Sequence, residues 1–179
     1  MGHMPVVFTI GHSTRSLRDF IALLEAHSVE LVVDVRTVPR SRHNPQFNSE
    51  TLPEALRAAG IGYEHAADLG GFRRASPDSL NAGWRNASFR GYADYMQTAA
   101  FAASLGGVIE QAQSKRLVLM CAEAVPWRCH RSLIADALVA RGIRVEEIVS
   151  AARTQAHAMT SFARMEGATV TYPPQTAGQ

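Results

Sequence analysis

Short apolar runs rich in β-branched side chains recur along the chain, at 6–10 (VVFTI), 31–35 (LVVDV) and 116–121 (RLVLMC). None alternates with polar residues. A strand that is apolar on both sides must be covered on both faces, and that is the mark of a parallel sheet sandwiched between helices. The intervening stretches supply the helices. Residues 16–27 place apolar side chains at 17, 20, 21, 23 and 24, with Ser13, Thr14 or Ser16 suited to cap them. Residues 49–59 put Leu52, Ala55, Leu56 and Ala59 on one face, and Gly60 or Gly62 stops them. A third helix is expected over 90–113, with Gly106-Gly107 as a candidate break, and a fourth over 129–141, closed by Gly142. Further strands are expected at 61–65 and 144–149.

The expectation is therefore an α/β fold: a three-layer sandwich with a mainly parallel sheet of about five strands and helices on both faces. At 162–172 the sequence FARMEGATVTY alternates around Glu166-Gly167 and reads as a C-terminal hairpin. At 179 residues the chain reads as a single α/β domain over 1–179. Residues 1–3 read as a cloning remnant and 173–179 as a loose tail. No run is long enough to span a bilayer, and the N-terminus lacks the basic-then-apolar order of a secretory signal. Two cysteines are no disulfide framework. The setting this implies is cytoplasmic, with both thiols reduced.

In an open parallel sheet, ligands bind beyond the carboxyl ends of the strands. The reactive residues fall there. The first strand runs into His12, Ser13 and Arg15, the second into Asp34 and Arg36 and then Arg42, and the fourth into Cys121 and Glu123. The following corner adds Arg128, Cys129, His130 and Arg131. Convergence of these side chains on one cleft is the expectation. The plain alternative is that polar residues solvate the loops.

The segments "TIGHS", "DVRTVPRSR", "NPQFN", "LGG" and "CAE…CHR" resemble, in order and spacing, the domain-of-unknown-function family 488, over roughly residues 9–149. The resemblance implies a small prokaryotic (bacterial or archaeal) α/β domain. It implies no named reaction.

The corner 121–131 is read on its chemistry. Pro126 suits the first turn of a helix, whose free amides and dipole attract anions. Arginine forks grip phosphate oxygens in pairs. The substrate-binding set is then His12, Ser13, Arg15, Arg36, Arg42, Arg128 and Arg131. The catalytic set is Glu123 as acid or base, His130 as its partner, Cys121 as a reactive thiol, and Asp34, which equally suits holding Arg36 in place. Cys129 lies on a stripe with Leu133 and Ala137 and reads mainly as packing. A Cys-x5-Arg phosphate loop fails, because Trp127 stands where the arginine belongs. A c-type haem site fails because Pro126 stands where the first cysteine belongs. A zinc site on Cys121, Cys129 and His130 matches no standard structural spacing, so no metal ligands are assigned and the cofactor is left unknown.

The irregular stretch 68–89 interleaves Phe72, Arg73, Arg74, Trp84, Arg85, Phe89 and Arg90, a composition that suits base stacking, a lid or a dimer contact. Of the 18 basic residues 17 are arginine, yet the net charge is only +2, which argues against a general DNA-binding protein. The functional expectation is an enzyme acting on a phosphorylated or nucleotide-like anionic substrate at the carboxyl edge of the sheet. The alternatives are a non-catalytic nucleic-acid- or nucleotide-binding module, and a metal-binding or thiol redox-sensing domain. Expected partners are an anionic small molecule or nucleotide. Nucleic acid and a homodimer stay open, and no membrane is expected.

Overall fold

The structure is a computed structural model that describes residues 5–175. The expected remnant at 1–3 and the tail beyond 175 lie outside the described residues, and 173–175 carry no regular structure. Five parallel strands are β1 (Val6–Gly11), β2 (Leu31–Asp34), β3 (Gly62–His65), β4 (Leu117–Cys121) and β5 (Arg144–Ser150). A sixth, β6 (Arg153–Ala156), pairs antiparallel with β5 at one edge, so the order is β3-β2-β4-β1-β5-β6. Its sequence, RTQA, has no apolar period, which is why pattern reading passes over it. The expected hairpin is present as β7 (Arg164–Glu166) and β8 (Thr169–Thr171), turned by Gly167 at φ 62°.

The helices cover both faces. On one side α1 (Leu17–Ala26) and α2 (Leu52–Ala58) bury Phe20, Leu24, Leu52 and Leu56 against Phe8, Ile10, Val32, Val118 and Met120. On the other, α3 (Ala87–Tyr95), α4 (Ala99–Ala112) and α5 (Arg131–Ala140) bury Tyr92, Phe101, Leu105, Leu133 and Leu138 against Val7, Val33, Leu117, Leu119 and Val145. Alternate residues of β1 and β4 enter opposite layers, which accounts for their unbroken apolar sequence. Each such side chain contributes about 1.5–3 kcal/mol when fully buried. Among the described residues no helix is long and apolar enough to cross a membrane.

Two boundaries differ from expectation. The helix expected over 90–113 breaks at Gln97–Thr98, not at Gly106-Gly107. Thr98 takes an extended backbone, and its hydroxyl accepts from the Phe101 amide, starting α4 afresh. The two glycines sit inside α4, where each costs only about 1 kcal/mol. The helix expected from 129 begins at Arg131. Pro126–Arg128 form a separate 3-10 turn, and Cys129 is extended at φ −129°, ψ 145°. The first-turn amides of one continuous helix, expected to face an anion here, are therefore not assembled.

The stretch after β3 is irregular but anchored. A 3-10 turn (Ala67–Leu69) is held by Tyr92 and Tyr95, whose hydroxyls donate to the Leu69 and Asp68 carbonyls at 2.9 and 2.7 Å. Asp94 accepts from the Ser76 amide, the Ser79 hydroxyl and the Asn81 side chain. Trp84 packs edge-on against Phe89 and Phe162. Gly91 lies in α3, and a side chain there would meet the Arg73 carbonyl. Most of this segment's aromatics are thus packing groups.

Connectivity fixes where a site can lie. From β1 the chain moves over one face to β2 and then β3; from β4 it moves over the other face to β5. The neighbouring strands β1 and β4 therefore diverge at their carboxyl ends, the switch point of a doubly wound sheet. There Gly11 lets the β1 end touch the turn after β4: a Cβ at Gly11 would stand 1.8 Å from the Glu123 carbonyl oxygen. Gly11→Ala is expected to cost about 3 kcal/mol or more in chemical denaturation. Wild-type stability in that variant would show that the two turns do not depend on this close approach.

Candidate functional site

Two polar clusters occupy the carboxyl edge. The first is built on β2. Residues 34 and 36 follow the two-residue period of an extended chain, and Arg36 grips Asp34 in a fork, Nε to Oδ1 at 2.9 Å and Nη2 to Oδ2 at 2.6 Å. The Arg36 amide and the Tyr63 hydroxyl also donate to the Asp34 carboxylate, and Arg36 Nη2 donates to the Phe47 carbonyl at 2.8 Å. Asp34 is wholly buried and its oxygens are fully used. Its role is to hold Arg36. Burial opposes the Arg36 charge, but Asp34 more than offsets this and its pKa is raised.

His12 joins this cluster. Its Nδ1–H donates to the Ser13 carbonyl at 2.8 Å, so its Nε2 lone pair faces Arg36 Nη1 at 3.4 Å. The ring stacks on Phe47 with centroids 4.2 Å apart. Burial, reinforced by the Arg36 charge, lowers the His12 pKa to about 4 against the opposing carbonyl contact. His12 is therefore a neutral structural imidazole at neutral pH.

The second cluster joins β1, β4, α5 and β5. Arg131, 1% exposed, donates from Nη2 and Nε to Glu147 at 2.6 and 3.4 Å. From Nη1 it donates to the Cys121 sulfur at 2.6 Å and to the Glu123 carbonyl, and from Nη2 to the Ala124 carbonyl at 3.2 Å. The Thr9 hydroxyl donates to Glu147 Oε2, the oxygen that Arg131 Nε also reaches. Burial works against the guanidinium charge; the Cys121 sulfur and Glu147 overcome it, so the Arg131 pKa is raised.

Beside Arg131 stand the two cysteines, both free and both buried, with sulfurs 2.7 Å apart. The Cys129 sulfur also receives the Arg131 amide at 3.4 Å and faces His130 Nδ1 at 3.7 Å. His130 Nε2–H donates to the Val35 carbonyl at 2.9 Å, which leaves Nδ1 directed at the sulfur. The Cys129 thiol is lowered to about 4, first by the hydrogen bond from Cys121, then, against burial, by His130 and Arg131. Burial and the proton it donates to Cys129 push the Cys121 thiol well up. The pair thus favours one thiolate sharing one remaining proton. Cys129, expected to pack, and Cys121, expected as the reactive thiol, both lie in the buried core, and of the two it is the Cys129 thiol that its neighbours hold down. Helical period places Cys129 on the core stripe, but the residue lies outside α5, and its neighbours are a sulfur, an imidazole and an amide.

The remaining expected residues divide by exposure. Glu123 is exposed, and its carboxylate accepts only the Val125 amide at 3.1 Å, while its carbonyl faces inward to Arg131 and Gly11. Arg42 and Arg128 are exposed. Arg15 is tied to the carbonyls of Gly11 and His12. Ser13 is half-buried at φ 54°, its amide donating to the Ala122 carbonyl at 3.0 Å. All of these sit at the same edge, but Arg36 and Arg131 point inward rather than into a cleft. Glu147, Thr9, Tyr63 and Phe47 were not among the expected site residues, although Thr9 and Phe47 lie within the motifs TIGHS and NPQFN, and Glu147 stands beside Glu146 in β5. A third buried acid, Asp136, is held by His157, Thr160 and Tyr172 away from these two clusters. Among the described residues no group of three or more His, Cys, Asp or Glu side chains is arranged to hold a metal.

Fold and edge together define a doubly wound α/β protein with a paired-thiol site at its switch point. Over residues 16–138 the chain matches the family described as "Domain of unknown function DUF488", and it belongs to that family. The matched span includes Asp34, Arg36, Cys121, Glu123, Cys129 and Arg131. Comparison with curated proteins and with solved structures gives no match.

Two outcomes test this account. Arg131→Met leaves Glu147 without its partner and is expected to cost about 3 kcal/mol in urea unfolding; unchanged stability would remove Arg131 from the centre of the edge. His12 binds its proton more weakly folded than unfolded, so the stability it contributes is present above pH 6.5 and is lost as pH falls toward about 4. The full effect is about 3 kcal/mol at most. A His12→Asn variant should lose correspondingly less stability between pH 7 and pH 4, and an identical slope would refute the neutral burial of His12.

Proposed function

We propose that the chain is an enzyme whose working group is the Cys129 thiolate, acting in a reducing cytoplasm on an anionic compound of the phosphorylated or nucleotide-like class. One observation carries the reading: the Cys129 sulfur is flanked by Cys121 at 2.7 Å and His130 Nδ1 at 3.7 Å, with the α5 N-terminal amide at 3.4 Å. A thiol kept only for packing is pushed up by burial; this one is held down to about 4. The thiolate would form a bond from Sγ to an electrophilic atom of the substrate. The leaving group would depart with its electron pair and take a proton from bulk solvent. Water, deprotonated by Glu123, would then displace the sulfur.

The substrate class rests on what the exposed loops of this edge carry. Arg128 and Arg42 are exposed cations on the neighbouring loops. Trp127 is 73% and Phe72 80% exposed. Trp127 is on the turn before Cys129; Phe72 is anchored by its amide to Thr37, next to Gly71, which abuts the His130 ring. Exposed aromatics beside cations suit a base and its phosphate.

The test is the pH profile of Cys129 alkylation by iodoacetamide, read by peptide mass. An ordinary thiol gains about tenfold per pH unit below its pKa. Cys129 should instead react at a nearly constant rate from pH 5 to pH 8. Its absolute rate at pH 6 should exceed that of a free cysteine by only about tenfold, because a low-pKa thiolate is a weaker nucleophile. A rate that climbs through this range would overturn the thiolate. Nucleoside monophosphates and inorganic phosphate should slow the reaction, less so in Arg42→Ala/Arg128→Ala; no protection by either would overturn the anionic class.

A further inference from the structure

An enzyme that needs one activated thiol does not need a second at contact distance. Cys121 ends β4 and Cys129 precedes α5, yet their sulfurs are 2.7 Å apart with both residues reduced. We propose that Cys121 and Cys129 are the two halves of a reversible disulfide, formed when a hydroperoxide oxidises Cys129 and Cys121 resolves the product. The inference rests on the reading of Cys129 as the nucleophile and adds to it a modification that switches the site off.

The chemistry balances on these two residues and one oxidant. The Cys129 thiolate attacks the hydroperoxide: an S–O bond forms, the O–O bond breaks, and the departing alkoxide takes a proton and leaves as the alcohol. Cys129 is now a sulfenic acid. The Cys121 sulfur attacks it: an S–S bond forms, the S–O bond breaks, and the hydroxide takes the Cys121 proton and leaves as water. Two thiols have lost two electrons, and the hydroperoxide has gained them. A second dithiol restores the pair by exchange.

The surroundings favour each step. Arg131 Nη1, 2.6 Å from the Cys121 sulfur, supports the negative charge that develops as Cys121 gives up its proton. The Cys129 backbone is extended and lies between the Pro126–Arg128 turn and α5, so closure asks for side-chain rotation rather than a break in helical hydrogen bonding. Once the sulfurs are joined, Arg131 keeps Glu147 and the carbonyls of Glu123 and Ala124. The edge therefore stays folded while its nucleophile is capped. Capping also guards a buried thiolate from further oxidation, which would be irreversible.

The experiment uses the full chain, reduced, freed of reductant and treated with one equivalent of hydrogen peroxide. The expected result is an intact mass lower by two hydrogens, no alkylation at either cysteine, and recovery of both sites after dithiothreitol. In Cys121→Ser the same treatment should leave a sulfenic acid on Cys129 that a cyclic 1,3-dione traps; far-ultraviolet circular dichroism shows whether that variant is folded, and the wild-type masses decide the question if it is not. Retention of two alkylatable thiols, or added oxygen at Cys129 with Cys121 still free, overturns the disulfide. If that happens while Cys129 alkylation stays flat with pH, the disulfide fails and the thiol-enzyme reading stands. If alkylation climbs with pH as for an ordinary thiol, the enzyme reading fails, and the disulfide, which needs the same thiolate, falls with it.

Discussion

The carboxyl edge depends on one buried guanidinium. Two strands that diverge at a switch point leave a gap between their turns, and here Arg131 fills it. Its planar fork reaches a carboxylate on β5, a sulfur at the end of β4 and two carbonyls of the turn beyond. A lysine would present one charged nitrogen and could not satisfy partners spread over this arc. Burying such a charge costs several kcal/mol unless every donor is used. That requirement explains why Glu147 of β5 is placed against Arg131, with the Thr9 hydroxyl also donating to its carboxylate. The neighbouring Arg36–Asp34 fork solves the same problem on β2, and His12 stays neutral first because burial penalises its charged form and then because the Arg36 cation stands beside it.

What the sequence made legible follows from what periodicity reports. Unbroken apolar runs announced a sheet covered on both faces, and five strands and both helical layers followed. Strand ends rich in His, Asp, Cys and Arg announced the edge. Periodicity is silent where no apolar face exists, so the polar edge strand β6 was missed. It also cannot rank a hydroxyl cap against a pair of glycines, which is why the helix break was sought at Gly106-Gly107 and lies at Thr98. Most of all, it says nothing about the direction of a charged side chain. Arg36 and Arg131 were read as reaching for a ligand; the structure turns both inward, because an arginine next to a buried acid has a better partner than water. Residues 34 and 36 share a face of an extended chain, and that spacing was the legible part of the first fork. Arg131 and Glu147 belong to different elements, and no local pattern joins them.

The charge balance of the edge leads to the thiol. Asp34 is matched by Arg36 and Glu147 by Arg131, so each fork is neutral as a unit. A thiolate on the cysteine pair adds a negative charge that neither fork was built to cancel. Three groups favour it: the Cys121 S–H, the Arg131 amide at the start of α5, and the ring of His130. The amide contributes through the positive end of the helix, an effect confined to the first turn. Cys129 stands just before that turn with its backbone extended, which aims its sulfur at the amide instead of along the helix surface. The break at Cys129 is thus the local event that sets its sulfur beside the Arg131 amide.

His130 completes this arrangement through a contact outside its own element. The Val35 carbonyl is an acceptor only, so the proton of a neutral His130 must reside on Nε2 and its Nδ1 must face Cys129. The ring is kept in that orientation from the other side by Gly71, where a Cβ would stand 2.8 Å from Nδ1, and by Tyr92, whose ring is 5.0 Å away. Gly71 is in turn fixed by its amide on Thr37. The irregular segment after β3 therefore acts on the site without contributing a charge: it wedges one imidazole so that its free nitrogen has the sulfur as neighbour. The ring so held is one of the groups that lower the Cys129 thiol, after the hydrogen bond from Cys121.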